Sequence, residues 1–232
     1  MIENIYRLFP EKYRQYLLNN DELPNALKHY LSHPIISKQT LIKTIEFLVF
    51  NFETTGLSAK QDRIVSMGYT LIKDLHLSLK DSTHVLVKPK RLLTEQNVGI
   101  HQLTDDEVSQ GLTFSHMMTD LFQAMTNRVV IVHFDNIEKS FINEACWQLY
   151  HFDNLPMRIL DTSKIETRKR TANQTHINAE SLRLFSLRSQ YNLTHYKAHN
   201  TMQDAISTAE LFLAQVAYMG SIDTIKLGEL II

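Results

Sequence analysis

Cysteine, glycine, proline and net charge are all scarce in this 232-residue chain, which carries one Cys, 6 Gly, 5 Pro and a formal charge of −1. A lone thiol, Cys146, excludes an intrachain disulfide framework and fits a reducing compartment, with Cys146 itself expected in the core. No low-complexity tract and no internal repeat interrupts the sequence. No run approaches the ~20 apolar residues that span a bilayer, and the N-terminus lacks the pattern of a signal peptide. A soluble, cytoplasmic chain without a membrane partner is the expectation. Because 24 basic residues balance 25 acidic ones, no global attraction to nucleic acid follows, and substrate steering would need a local patch. Lys164, Arg168, Lys169 and Arg170, with Arg183 and Arg188, are the candidates; a solvated basic loop is the equal alternative.

Hydrophobic residues make up 44% of the chain, enough for one good core plus an appendage. Residues 1–43 read as the appendage. Tyr6, Leu8, Phe9, Tyr13, Tyr16, Leu17 and Leu18 recur at helical spacing, and a Pro-punctuated second piece runs through Leu31 and Pro34. These predict short helices packed on the core, or a partner-docking arm. Residues 44–218 form the main domain, and the apolar tail within 219–232 is expected to pack on the body or on a second subunit. Strands are expected near 45–53, 64–74 and 82–88, with turns at Asp62 and Asp74-Leu75. Then come a helix at 115–126, a strand at 128–133, a helix at 137–150 and a strand at 157–161. A helical stretch at 179–190 and a long helix at 202–218 complete the order. A meander followed by alternating strand and helix predicts an α/β chain with a mixed sheet flanked by helices.

Three phrases carry the chemistry. The first apolar run, Ile45-Glu46-Phe47-Leu48-Val49-Phe50, passes into Asn51-Phe52-Glu53-Thr54-Thr55-Gly56-Leu57. Strand alternation projects positions 51 and 53 to one side and Phe50 and Phe52 into the core. Two oxygen donors on one strand face can hold a hard divalent cation. The plain alternative is a buried strand ending in a polar turn with Glu53 solvated. The second phrase, Val129 to Ile142, is a strand running through His133-Phe134-Asp135-Asn136-Ile137-Glu138 into a helix. The third, His199-Asn200-Thr201-Met202-Gln203-Asp204-Ala205, heads the last helix, with His199 on the preceding loop. Imidazole titrates near neutrality, so His199 is suited to take a proton from water.

In this order the phrases resemble the motifs of the DEDDh, or DnaQ-like, 3′→5′ exonucleases, a family that includes ribonuclease T and the proofreading subunits of bacterial replicative polymerases. There they read Asp-x-Glu-Thr-Thr-Gly, His-Asn-x-x-Phe-Asp and His-x(4)-Asp-Ala, and the likeness runs from Ile45 to Ala217. It implies a ribonuclease H-like five-stranded mixed sheet with a helical N-terminal extension. Glu53, Glu138 and Asp204, with position 51, would hold two Mg²⁺ ions that Mn²⁺ can replace. His199 would activate water, and Thr54, Gly56, Leu57 and His133 would contact substrate. The implied partners are the 3′ end of single-stranded nucleic acid or a short oligonucleotide, and a homodimeric or polymerase-type assembly. Ile100-His101-Gln102-Leu103-Thr104 resembles the family's His-Gly-Ile-Thr stretch, and Leu160-Asp161-Thr162 an Asp-Thr that closes a strand; a loop His and a helix N-cap are the plain readings. Phe52, Tyr69, Phe134 and Tyr196 are candidate base-stacking aromatics, with Phe52 and Phe134 expected in the core instead.

Two positions depart from the pattern. Asn51 stands where the family has Asp, and Glu138 lengthens the second-motif Asp by one methylene, with Asp135 a nearby spare acid. The expectation is a metal-dependent 3′→5′ exonuclease impaired by Asn51; the alternative is a catalytically inactive nucleic-acid-binding or assembly protein that keeps the fold.

Overall fold

Leu48, Phe50 and Phe52 enter one apolar cluster while Phe47 and Val49 enter another. A strand apolar on both faces has to be covered on both faces, and that requirement organises the whole molecule. The computed structural model describes residues 9–88, 110–174, 177–194, 196 and 200–231. This strand, β1 (Phe47–Thr54), lies at the centre of a five-stranded sheet of order β3-β2-β1-β4-β5. β2 (Ile64–Lys73) runs antiparallel to it and β3 (His76–Leu86) antiparallel to β2. β4 (Val129–Val132) and β5 (Ile159–Asp161) continue the other side in parallel. The sheet is mixed and five-stranded, as expected.

One face is covered by α1 (Pro10–Leu18), α2 (Asn25–Ser32), α3 (Phe114–Met125) and α4 (Asp135–Tyr150). Tyr13, Leu17, Leu27, Leu31, Phe122, Phe141 and Cys146 join Phe50 there, each large apolar side chain contributing roughly 2 kcal/mol by leaving water. Pro10 opens α1 at a position whose N–H would lack a helical partner. Two hydroxyls tie these N-terminal helices to the body: Tyr13 donates to the Asp153 carbonyl and Tyr30 to that of Pro156, both at 2.7 Å.

The opposite face is covered by α7 (Thr201–Ala217), through Ala209, Phe212 and Val216. The Phe212 ring lies 5.2 Å from that of Phe47. Ile225, Leu227 and Leu230 join the same cluster. Backbone bonds from Ile42 to Ile225 and from Leu227 to Thr40 hold this tail against its own chain. No helix among the described residues is long and apolar enough to cross a membrane.

Two sequence expectations need correction. β3 begins at His76, not near 82, because Asp74 and Leu75 both adopt positive φ and make a two-residue reversal that lets pairing start at once. The basic stretch after Asp161 is a helix, α5 (Thr162–Ala172), not a loop. The Asp161 side chain caps it by accepting from Ser163 N, and Arg170 reaches back one turn to Glu166 at 3.1 Å. Between α5 and α7 lie a 3₁₀ turn (Ala179–Leu182) and α6 (Leu184–Gln190).

Candidate active site

Glu53 pairs with Ser66 and Asn51 with Gly68 across the β1–β2 ladder. Their side chains share the face of Phe47 and Val49, the face that α7 covers. Gly68 is the seat for that helix: a Cβ built there would overlap the backbone of Thr201 and Met202. The Ser66 and Thr201 hydroxyls meet at 3.2 Å beside it. Asp204, in the first turn of α7, is thereby brought over the strand pair that carries positions 51 and 53. Asn200 caps the helix by accepting from Gln203 N at 3.0 Å, and a carboxylate in the first turn is favoured by the helix dipole. Nothing in the sequence near residue 68 announces this glycine's role, since its partner lies far downstream.

A register shift between Glu53 and Thr54 loosens the ladder where the site begins, as bulges beside functional sites commonly do. Beyond it Asp62 organises the turn. Its carboxylate accepts from Thr55 Oγ1 at 3.1 Å and Ser58 N at 2.9 Å, and it occupies the space a Cβ on Gly56 would need. Thr54 Oγ1 donates to the Gly56 carbonyl at 2.7 Å. Leu57 is left 78% exposed at the tip, free to touch a ligand.

Asn51 Nδ2 makes a long 3.4 Å bond to the Phe52 carbonyl, and an amide offers one neutral oxygen to a cation. Glu138 sits in the first turn of α4, buried, and its Oε2 has no hydrogen-bond partner. Burial, reinforced by Asp161 and Asp135 against the pull of its own backbone N–H, pushes its carboxyl up to about 8. The shift favours the protonated carboxyl in the metal-free chain. Asp135 is also buried, and Lys164 pairs with it at 2.6 Å. His133 extends β4; its Nδ1 meets Thr162 Oγ1 at 2.7 Å, and burial holds it down to about 4, so the ring is neutral. A Thr162-bound ring set behind Phe134 is a structural post more than a ligand contact. His199, His101 and the rest of the stretch 100–104 lie outside the described residues.

Among the described residues no three His, Cys, Asp or Glu side chains converge into a ready metal cage. The donor types nevertheless suit a hard cation: the carboxylates of Glu53 and Asp204, the Asn51 carbonyl, and the orphaned Glu138 oxygen. Mg²⁺ asks for one or two protein carboxylates and takes the remaining ligands from water and substrate phosphate. By donor chemistry these residues are compatible with one such ion. A second, implied by the resemblance, lacks the charge at position 51 and needs Glu138 to release its proton.

The basic patch read from the sequence is largely committed to the fold. Arg188 is fully buried, Arg170 pairs with Glu166, Lys164 with Asp135, and Arg168 donates to the Glu229 carbonyl. Lys169 lies over the rings of Tyr191 and Tyr218. Two residues the sequence singled out for other reasons act as supports. Asp161 binds the start of α4, and Arg188 joins Thr194 to the middle of α7, bonding the Thr194 carbonyl, the Ser207 carbonyl and Glu210.

The chain is similar to several known proteins. The chain is 28% identical to the DNA polymerase III subunit epsilon of Treponema pallidum over 174 residues, 75% of this chain and 78% of that protein. It is 23% identical to the PolC-type DNA polymerase III of Thermotoga petrophila over 202 residues, 84% of this chain but only 14% of the length of that polymerase. Among solved structures, cell-death related nuclease 4 superposes with a TM-score of 0.63 at 17% identity, covering 75% of this chain and 64% of that one. E. coli exonuclease I in complex with a dA16 oligonucleotide superposes with a TM-score of 0.61 at 15% identity, over 75% of this chain and 41% of that one. These structural matches carry the fold. The RNase_T family, described as exonuclease, matches residues 48–212, a span that opens in β1 and closes in α7 and so takes in every element that frames Asn51, Glu53, Glu138 and Asp204: this chain belongs to that exonuclease family.

Proposed function

We propose that this chain is a metal-dependent 3′→5′ exonuclease of reduced rate that acts on the 3′ end of single-stranded nucleic acid. The observation that supports the reading is the seating of α7 on Gly68, the ladder partner of Asn51, which sets the helix turn that bears Asp204 against the strand paired with β1. Glu53 and Asp204, with the Asn51 carbonyl, would hold Mg²⁺ or Mn²⁺. Such an ion, when bound, offsets the charge that gathers on the phosphate oxygens. His199 is assigned the proton of the attacking water. Water adds to the terminal phosphodiester, its oxygen joining phosphorus. The bond to the 3′ oxygen of the penultimate nucleotide breaks, and that oxygen leaves with a proton. Leu57, at the exposed tip beyond the bulge, is assigned to the terminal base.

Asn51 supports the reduced rate. Removing a negative charge from a site meant to hold dications weakens their binding and shifts their position, and an error near 1 Å can lower a rate by ~10²-fold. A second reading, a binding protein that keeps the cleft without turnover, is favoured by the burial of Glu138, which raises its carboxyl and disfavours the carboxylate there, and by the neutral amide at position 51. A polymerase-type partner is proposed from the epsilon and PolC relatives.

The test is digestion of a 5′-labelled single-stranded oligonucleotide in Mg²⁺ and in Mn²⁺. A ladder shortening from the 3′ end, abolished by His199→Ala, is the expected result. Intact substrate under both ions, together with measurable binding, moves the assignment to the binding protein.

A further inference from the structure

Phe134 has a backbone conformation that disfavours its side chain. With φ 66° and ψ 72° it is left-handed, a region in which a bulky residue is a genuine outlier and Asn or Gly is at ease. The usual justification for a phenylalanine, burial, is also missing, because Phe134 is 41% exposed. The expectation that it belongs to the core is therefore wrong: β4 ends at Val132, and the reversed φ turns residue 134 outward. Outliers of this kind persist only where the surroundings over-determine them, and they gather at functional sites.

The surroundings here are built for the purpose. Buried Asp161 accepts from Phe134 N with one oxygen and from Asp135 N with the other, both at 3.1 Å. It is itself held by Ser163, whose hydroxyl donates to it at 2.6 Å. The His133 ring meets the Phe134 ring at 4.4 Å and 63°, and His133 is pinned by Thr162. An exposed ring is thus fixed in place from behind. Its location follows from the parallel register, in which Ile131 pairs with Val49. Because β1 and β4 run parallel, Phe134, two residues past the end of β4, lies off the same end of the sheet at which β1 carries Asn51 and Glu53. Lys164, paired with Asp135 and 44% exposed, puts a cation next to it.

We infer that Phe134 is a stacking platform for an unpaired nucleobase of the strand that enters this cleft. The inference rests on the nucleic-acid reading proposed above and adds a residue that positions the substrate. A rigid exposed ring at the end of the sheet that carries Asn51 and Glu53 suits a nucleobase, because every base offers a π-face and stacking tolerates any sequence.

The experiment places 2-aminopurine at each of the last three positions of single-stranded DNA and RNA oligonucleotides. Quenching and affinity are measured with the full chain, with and without Mg²⁺, beside Phe134→Asn and Phe134→Leu. The parent should quench one position strongly, and both variants should lose that quench and bind roughly ten-fold more weakly. Phe134→Asn should melt at the same temperature as the parent or higher, since Asn accepts a left-handed backbone; lower affinity with undiminished stability is a pairing that a merely structural phenylalanine does not produce. Equal affinity and equal quench in the parent and both variants overturn the platform and leave the nuclease reading intact. A parent that binds no oligonucleotide under either condition overturns both.

Discussion

Gly68 and Met202 occupy the same space but for one methyl group: a Cβ at position 68 would overlap the Met202 backbone. The helix that carries Asp204 touches the strand directly opposite Asn51 because that methyl is absent. Gly68→Ala must push the N-terminus of α7 away from β2 or bend the strand. The expected loss is about 1–3 kcal/mol of stability, the usual range for overpacking, read as a lower urea midpoint. Oligonucleotide cleavage should fall further than stability does, since the displaced turn bears Asp204. A variant with parent-like stability and parent-like cleavage would show that α7 does not depend on this seat.

Restoring the missing charge tests the site from the other side. Asn51→Asp places a carboxylate beside Glu53, where the neutral amide now bonds weakly to the Phe52 carbonyl. In metal-free buffer the added repulsion should lower the melting temperature slightly. Mn²⁺ should raise it more in the variant than in the parent, as mass action requires of an ion that binds only the folded chain. Cleavage of a 5′-labelled strand should rise by about 10²-fold, the scale of a geometric misplacement near 1 Å. An unchanged rate together with an unchanged response to Mn²⁺ would remove position 51 from the site.

How far the sequence discloses this site depends on how far each determinant reaches along the chain. The alternation that sets Asn51 and Glu53 against Phe50 and Phe52 is local, and the sheet reproduces it. The Asn200 cap and the α7 start are local as well. Gly68 was not legible because a glycine in an apolar strand looks the same whether or not a helix lies on it. The Asp161 cap of α5 is local too and was offered as a plain reading, while the helix beyond it lacks an apolar stripe and is held by polar contacts, the Glu166–Arg170 pair and Tyr191 donating to Glu166 at 2.7 Å. Phe134 was assigned to the core on residue type, and only a left-handed φ, fixed by a carboxylate from another strand, turns it outward.

Glu138 makes a prediction about pH. Its carboxyl is pushed up to about 8 from the ordinary 4.5, so across that interval the folded chain keeps a proton that the unfolded chain has released. Stability in metal-free buffer must then fall as pH rises from about 4.5 to 8. Glu138→Gln keeps a neutral group of the same shape and removes the titration. The variant should match the parent near pH 4.5 and exceed it at pH 8.5, with urea midpoints as the measure. Parallel pH profiles for the two proteins would mean that Glu138 is ionised in the fold, and the case for a protonated site acid would end there.

Arg188 is the support whose removal should do the most damage. It is fully buried, pairs with Glu210 at 2.8 Å, and donates to the carbonyls of Ser207 at 2.7 Å and Thr194 at 2.6 Å. Its guanidinium also lies 4.9 Å from the Tyr196 ring, whose hydroxyl donates to Glu210 at 3.2 Å. One planar fork thus joins α6, the segment at Thr194 and Tyr196, and the middle of α7. Arg188→Met fills a similar volume but leaves Glu210 without its cation and two carbonyls without donors. Breaking a buried pair from one side costs about 3–5 kcal/mol, a large part of a domain's stability. Arg188→Lys keeps the charge but not the fork, so it should recover less than half of the loss. The order parent, Lys, Met in urea midpoint is the expected outcome. Because the same contacts tie the middle of α7 to α6 and Thr194, the Lys variant, still folded, should also lose cleavage at saturating substrate while its affinity for the oligonucleotide holds. A Lys variant with parent-like turnover would separate Arg188 from the site and confine it to stability.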